Sequence, residues 1–157
     1  MLGDGLTAQT AWQITDSSHL RILADYVNAG NYASTLGKYY VLMNNIDLSG
    51  YANWAPIGFW DKVVYPFPLG TYFGGNFDGN GKVIQNLTIN RPLERGIGLF
   101  GFVYAVIKNL GLINCNILGK EDVGGLVGGG SGSFISNCYV TGNVSGTYII
   151  NPAAIKL

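Results

Sequence analysis

Charge is scarce in this sequence. Nine basic and nine acidic residues stand among 157, so 11 % of the chain is charged, against about 25 % in ordinary globular proteins. The formal net charge is zero and no basic stripe runs along the chain. That excludes a nucleic-acid partner, because binding a polyanion depends on cations that neutralise phosphates. Histidine is nearly absent. The single His19, expected as a solvated residue of a helix's first turn, cannot furnish the two imidazoles of a zinc peptidase, and no Gly-x-Ser-x-Gly elbow offers a serine nucleophile. The two cysteines, Cys115 and Cys138, lack metal-ligand spacing. A structural zinc needs about four such ligands, so no metal or other cofactor is expected. Buried free thiols are the favoured reading of the pair, with a disulfide left open. No apolar run reaches the roughly 18 residues of a membrane span, so no membrane insertion is expected. The opening Met-Leu-Gly-Asp-Gly has neither the basic nor the apolar region of a signal peptide. Export would need a signal outside this sequence; a cytosolic site is the alternative.

Apolar residues and glycine are plentiful instead. Hydrophobic residues make up 48 % of the chain, which suffices for a core and argues against disorder. The 24 glycines cluster after position 70 and predict many tight turns. One helix is legible. Asp16 or Ser17 supplies the N-cap oxygen, and Leu20, Leu23, Ala24 and Val27 follow at helical spacing. Asn28-Ala29-Gly30 ends it, with Gly30 as a left-handed C-cap. Strands are expected at Tyr39-Tyr40-Val41-Leu42-Met43 and Ile46-Asp47-Leu48. Residues 51–72 read as an irregular aromatic loop, because Pro56, Pro66 and Pro68 hinder sheet pairing.

Beyond Tyr72 the sequence repeats. Val83-Ile84-Gln85-Asn86-Leu87-Thr88-Ile89, Val106-Ile107-Lys108-Asn109-Leu110-Gly111-Leu112 and Phe134-Ile135-Ser136-Asn137-Cys138-Tyr139-Val140 share the pattern apolar-Ile-x-Asn-Leu/Cys-x-aliphatic, at offsets of 23 and 28 residues. Such offsets belong to coils of a solenoid. Along a straight strand the two apolar pairs in each segment would face opposite sides. A corner at the asparagine removes the conflict, since Asn tolerates left-handed dihedrals. Stacked coils would then place Asn86, Asn109 and Asn137 above one another in a ladder of amide hydrogen bonds. Ile84, Leu87, Ile89, Ile107, Leu110, Leu112, Ile135, Cys138 and Val140 would point inward. Gly98-Leu99-Phe100-Gly101 and Gly125-Leu126-Val127-Gly128 form another side of each coil, with Gly74-Gly75-Asn76-Phe77 in the corresponding place of the first. The expected fold is all-β: a short right-handed parallel β-helix (solenoid) with one N-terminal capping α-helix. Its parts are the helix and first strands (1–50), the aromatic loop (51–72), the repeat coils (73–146) and a C-terminal cap or truncated next coil (147–157).

Gly124-Gly125-Leu126-Val127-Gly128, followed by Ile135-Ser136-Asn137-Cys138-Tyr139-Val140-Thr141-Gly142-Asn143-Val144-Ser145-Gly146, resembles the GLUG motif family. Asn76-Phe77-Asp78-Gly79-Asn80-Gly81 with Ile84-Gln85-Asn86-Leu87 is similar to the leading coil of that family, and Ile46-Asp47-Leu48-Ser49, Trp54 and Pro56-Ile57-Gly58 to the segment before it. The resemblance implies a β-solenoid of extracellular or cell-surface bacterial proteins, adhesin-like ones among them. It also implies company with IgA-specific metallopeptidases, whose protease is a separate domain. It brings no catalytic residues.

A polysaccharide-degrading β-helix needs convergent acids, and the repeats offer Asp78, Glu94, Glu121 and Asp122. Asp78 and Asn80 suit a turn better than a calcium loop. Asn86-Leu87-Thr88 and Asn143-Val144-Ser145 match glycosylation sequons, read as chance. Trp60, Tyr65, Phe67 and Tyr72 are the binding candidates, able to stack on sugars or anchor a protein, against a packing role as a hydrophobic flap. The function expected is a non-catalytic adhesion, binding or spacer module, whose partner is a host or bacterial surface protein or glycan. The alternatives are a polysaccharide lyase or glycosidase, and an accessory repeat region of an IgA-type metallopeptidase.

Overall fold

Asp16 starts the only α-helix among the described residues, α1 (Ser17–Tyr26), by accepting the amides of Ser18 and His19 on its carboxylate. The computed structural model describes residues 1–64 and 67–148, the side chains of 60–64 and 67–70 excepted. The helix continues into a wider turn over Val27–Asn31, where Gly30 takes φ +97°, the left-handed stop its sequence predicts. Leu20, Leu23, Ala24 and Val27 all enter the core.

Strand β1 (Trp12–Ile14) precedes the helix, and β2 (Tyr39–Leu42) and β3 (Ile46–Asp47) follow it. β4 (Phe59–Val64) and β5 (Phe67–Thr71) form an antiparallel hairpin. The chain then passes through β6 (Asn76–Asp78), β7 (Val83–Gln85), β8 (Thr88–Asn90), β9 (Arg95–Ile97) and β10 (Phe100–Val103). The next circuit holds β11 (Val106–Lys108), β12 (Gly111–Gly119), β13 (Glu121–Val123) and β14 (Val127–Gly130). β15 (Phe134–Ser136) and β16 (Tyr139–Gly146) complete the described strands.

Apart from the hairpin, every pairing between named strands is parallel. One sheet has the order β1-β2-β6-β11-β15 and a second the order β3-β7-β12-β16, with β8 also on β12. On the third side β10 pairs with β14 and β9 with β13. The chain visits the three sides in turn and returns to the first one layer on. Two circuits are 28 residues long, as Asn137 over Asn109 and Asn114 over Asn86 measure. The circuit carrying the hairpin is longer, with Asn80 and Leu42 in contact at a separation of 38.

The asparagine corners exist, but as two columns. Asn86, Asn109, Asn114 and Asn137 have φ of 60°, 55°, 53° and 51°. In one column Asn137 donates through Nδ2 to Asn109 Oδ1 at 2.8 Å, and Asn109 Nδ2 to Asp78 Oδ1 at 3.0 Å. In the other, Asn114 Nδ2 donates to Asn86 Oδ1 at 2.7 Å and Asn86 Nδ2 to Asp47 Oδ1 at 3.0 Å. Asn86 therefore does not stack on Asn109, and the 23-residue offset is a misalignment. The circuit through β11 and β12 turns twice at such a pair, at Asn109-Leu110 and at Asn114-Cys115, and the true neighbour of Ile84-Gln85-Asn86-Leu87 is Leu112-Ile113-Asn114-Cys115. In β16 the second corner has no asparagine. Thr141 accepts the Asn114 amide on Oγ1, and Gly142, at φ +126°, takes up the irregular register. A Cβ at Gly142 would lie 2.2 Å from the Cys115 carbonyl oxygen, so only glycine fits.

The corners resolve the parity conflict. Ile84, Leu87, Ile89, Ile107, Leu110 and Leu112 are all buried. Phe73, Phe77 and Phe100 meet at the centre with ring centroids 5.3–6.2 Å apart. Three expectations need correction. Ile135 and Val140 are exposed and Cys138 half-buried, because among the described residues no further circuit lies over them. Residues 51–72 are partly regular: Pro68 sits within the β4–β5 ribbon, where each strand has an unpaired edge and can spare an amide. Asn76-Phe77 belongs to the first sheet under Val106-Ile107. The places beside Phe100 and Val103 are filled instead by Ile57 and Phe73. Most of the expected C-terminal cap or next coil, from Ile149 onward, falls outside the described residues.

Phe77→Ala should cost about 3–5 kcal/mol in urea unfolding, as truncation of a buried ring does. Asn109→Ala should be less stable than Asn109→Gly by about 1 kcal/mol. Both lose the amide ladder, and only alanine is strained at positive φ.

Candidate functional site

The first sheet presents an outer face whose rows follow from strand register. Tyr39, Asn76, Val106 and Phe134 lie side by side in one row, and Val41, Asp78, Lys108 and Ser136 in the next. Their neighbours Tyr40, Phe77 and Ile107 point the other way, into the core, since alternate strand residues face opposite sides. The N-terminal segment folds beside these rows: the Tyr39 amide donates to the Gly5 carbonyl and the Gln13 amide to Leu2. Ala8 and Ala11 thereby wall a cleft of about 110 Å³ floored by Tyr39, Asn76, Asp78 and Lys108. Small-molecule pockets usually span about 300–1,000 Å³, so this cleft suits surface contact rather than engulfing a ligand.

Asp78 is already occupied. Its Oδ1 accepts from Asn109 Nδ2 and the Asn80 amide, and Lys108 Nζ lies 3.3 Å from Oδ2. Partial burial pushes the carboxyl up, but these donors outweigh it and leave it below its usual range. The other acidic residues of the repeats are committed elsewhere. Glu94 holds Arg91 at 3.0 Å, while Arg95 lies 3.0 Å from Glu121 and 3.5 Å from Asp122. Lys120 approaches Glu121 at 3.4 Å. Asp78 thus stands in an amide column and the remaining three in ion pairs with arginine. Among the described residues no group of three or more His, Cys, Asp or Glu is placed to hold a metal ion. Asn80, the other half of the calcium reading, spends its Nδ2 on the Leu42 carbonyl.

Of the aromatic candidates, Tyr72 packs against Tyr32 at a centroid distance of 4.7 Å and is half-buried, as a flap residue would be. Trp60 and Phe67 lie on the hairpin strands. Tyr65 and the side chains of Trp60 and Phe67 lie outside the described residues. Asn28 ties the hairpin base to the helix end: its Nδ2 donates to the Pro56 carbonyl and its Oδ1 accepts the Gly58 amide, both at 2.9 Å. His19 is only half-exposed, its Nδ1 hydrogen-bonded with the Thr15 hydroxyl at 2.9 Å and facing the Thr15 amide. Cys115 and Cys138 are free thiols, and burial pushes the Cys115 thiol up. Both occupy the leucine place after a corner asparagine. The Tyr39–Asn76–Lys108 cluster was not foreseen. Its residues sit at alternate positions of three separate strands, and only the register joins them.

These features define a mostly β protein built from parallel sheets with one α-helix. No known family profile matches the chain. It is 33 % identical over 150 residues to halomucin of Haloquadratum walsbyi, a match covering 92 % of this chain and 2 % of halomucin. Its structure is similar to that of an inferred immunoglobulin A1 protease from Bacteroides ovatus, with a TM-score of 0.60 at 19 % identity. That match covers 88 % of this chain and 39 % of the other, and shows a shared fold. The chain therefore spans a small part of halomucin and about two fifths of the other chain.

Asp47 closes its amide column in full contact with solvent. Hydrogen bonds from Asn86 and from the Ser49 amide hold its carboxyl at about 2, below the ordinary 3.8. A carboxylate with a lowered folded pKa contributes stability above its unfolded pKa and loses it as pH falls through the folded value. Thermal melts from pH 5 downward should show wild type losing stability between about pH 4 and pH 2. Asp47→Asn should show less of that loss.

Proposed function

We propose that this chain is a short right-handed parallel β-solenoid of the GLUG type, covered at its first end by α1. In this reading it serves as a non-catalytic adhesion, binding or spacer module of a surface or secreted protein. The observation that carries the fold reading is the repeated visit to three sides in constant order, two circuits 28 residues long. What favours binding or spacing over catalysis is the commitment of the acids. Asp78, Glu94, Glu121 and Asp122 each have a donor or cation partner, whereas glycoside cleavage requires two carboxyl groups converging on one bond. The similarity to short stretches of halomucin and of an inferred immunoglobulin A1 protease fits a module repeated or embedded within larger proteins. The latter also supports a narrower version, an accessory region beside a secreted peptidase.

Arrays of glycans and of surface proteins test the binding arm. Saturable binding is expected, weakened on Trp60→Ala if the hairpin makes the contact and on Lys108→Ala if the cleft does. Absence of binding to every surface would leave the spacer role. Release of new reducing ends or unsaturated sugars from any polysaccharide by the purified chain would sink the non-catalytic reading.

A further inference from the structure

Expected as chance matches, the two glycosylation sequons are told apart by the fold. Asn86-Leu87-Thr88 begins at a corner. Asn86 is half-buried at φ 60°, and its amide is clasped from both sides. Its Oδ1 accepts from Asn114 Nδ2 at 2.7 Å and its Nδ2 donates to Asp47 Oδ1 at 3.0 Å. Asn143-Val144-Ser145 lies within β16 instead. Val144 stands in register with buried Ile117, so Asn143 and Ser145 turn outward together on the opposite face. Asn143 is exposed, and among the described residues its side chain makes no hydrogen bond. That is unusual in this chain, where Asn28, Asn53, Asn80 and Asn109 all spend theirs on the fold. The Ser145 hydroxyl has one long bond, 3.4 Å to the Ile117 carbonyl. The outward direction does not depend on whether another layer follows β16. Asn116, with β8 on one side and β16 on the other, points the same way and is exposed too.

We infer that Asn143 is a site of N-linked glycosylation and that Asn86 is not. A glycosyl transferase reads an asparagine amide together with a hydroxyl two residues on, and an extended strand delivers both on one side. The donor is an oligosaccharide carried on a polyprenyl pyrophosphate. Asn143 Nδ2 attacks the anomeric carbon. The carbon–oxygen bond to phosphate breaks as the carbon–nitrogen bond forms. The amide gives up one proton, and the lipid pyrophosphate leaves with the electron pair, so nothing is oxidised or reduced. A glycan also suits the rest of the surface. With 11 % of its residues charged and a net charge of zero, the chain has little charge to keep its copies apart in solution. A bulky hydrated sugar supplies that separation from a side chain the fold does not use. The inference rests on the surface or secreted reading, because such transferases act on exported chains.

Peptide mass spectrometry of the full protein from the cells that make it, fractionated into surface, secreted and cytosolic pools, tests this. Lys108 and Lys120 lie between the two sequons, so trypsin puts them in separate peptides. A glycan is expected on the Asn143 peptide of the surface or secreted pool, leaving aspartate at that position after enzymatic release, and none on the Asn86 peptide. Asn143→Gln and Ser145→Ala should each abolish it, the second with the acceptor amide still present, and Ser145→Thr should keep it. Unchanged thermal melts of these variants show that loss of the glycan is not loss of the fold. An exported chain that is bare at Asn143, modified at Asn86, or still modified in Ser145→Ala overturns the inference alone. A chain found bare and only in the cytosol overturns it together with the surface reading.

Discussion

A strand can turn a corner and keep burying aliphatic side chains only if one residue at the bend leaves the extended region of backbone space. Here that residue is asparagine in the left-handed conformation, at Asn86, Asn109, Asn114 and Asn137. The residue after each corner points inward as leucine or cysteine, which is why Leu87, Leu110 and Cys115 are buried although they follow a polar residue. The same side chains link neighbouring layers through their amides. Each such bond is worth only about 0.5–1.5 kcal/mol net, so the columns set register more than they supply stability. Stability comes from Phe73, Phe77, Phe100, Trp54 and the aliphatics around them. The corners decide which side chains can join that core.

The columns also explain where the few charges went. Both run from amide donor to amide acceptor and end on an aspartate, Asp78 or Asp47. Asn109 and Asn86 each use both ends of the amide this way, and a carboxylate is the natural last acceptor because it has no hydrogen to donate. Arg91 pairs with Glu94, Arg95 with Glu121 and Asp122, and Arg21 with Asp25 on the helix.

Much of this was legible beforehand. The pairing of Ile107-Lys108-Asn109-Leu110 with Ile135-Ser136-Asn137-Cys138 follows from their common pattern, and the helix and its Gly30 stop were readable, with the N-cap left between Asp16 and Ser17 until the structure gave it to Asp16. The first repeat falls on the wrong column because the circuit through β11 and β12 turns twice at the same signal, at Asn109-Leu110 and at Asn114-Cys115. The shared pattern links Asn86 to Asn109, which lies on a different side, and skips Ile113-Asn114-Cys115. The hairpin was hidden by its prolines, which argue against an interior strand but not against a two-stranded ribbon. An inward pattern such as Ile135, Cys138 and Val140 reports direction; whether anything covers those side chains depends on the next layer. The outer rows of Tyr39, Asn76 and Lys108 became visible only with register, since no single stretch contains them.

The hairpin lengthens its circuit without altering the layers above and below. Tyr40 still lies under Phe77, and Ile46 under Ile84, across the longer stretch. Its base is held by Asn28 and by the Thr71 hydroxyl, which accepts the Phe59 amide. The scaffold thus separates two demands on sequence. Strands and corners must obey a strict spacing, while a protrusion on one rung is free to vary in length and composition. Length and composition can change at that rung without renegotiating how the rest of the chain folds.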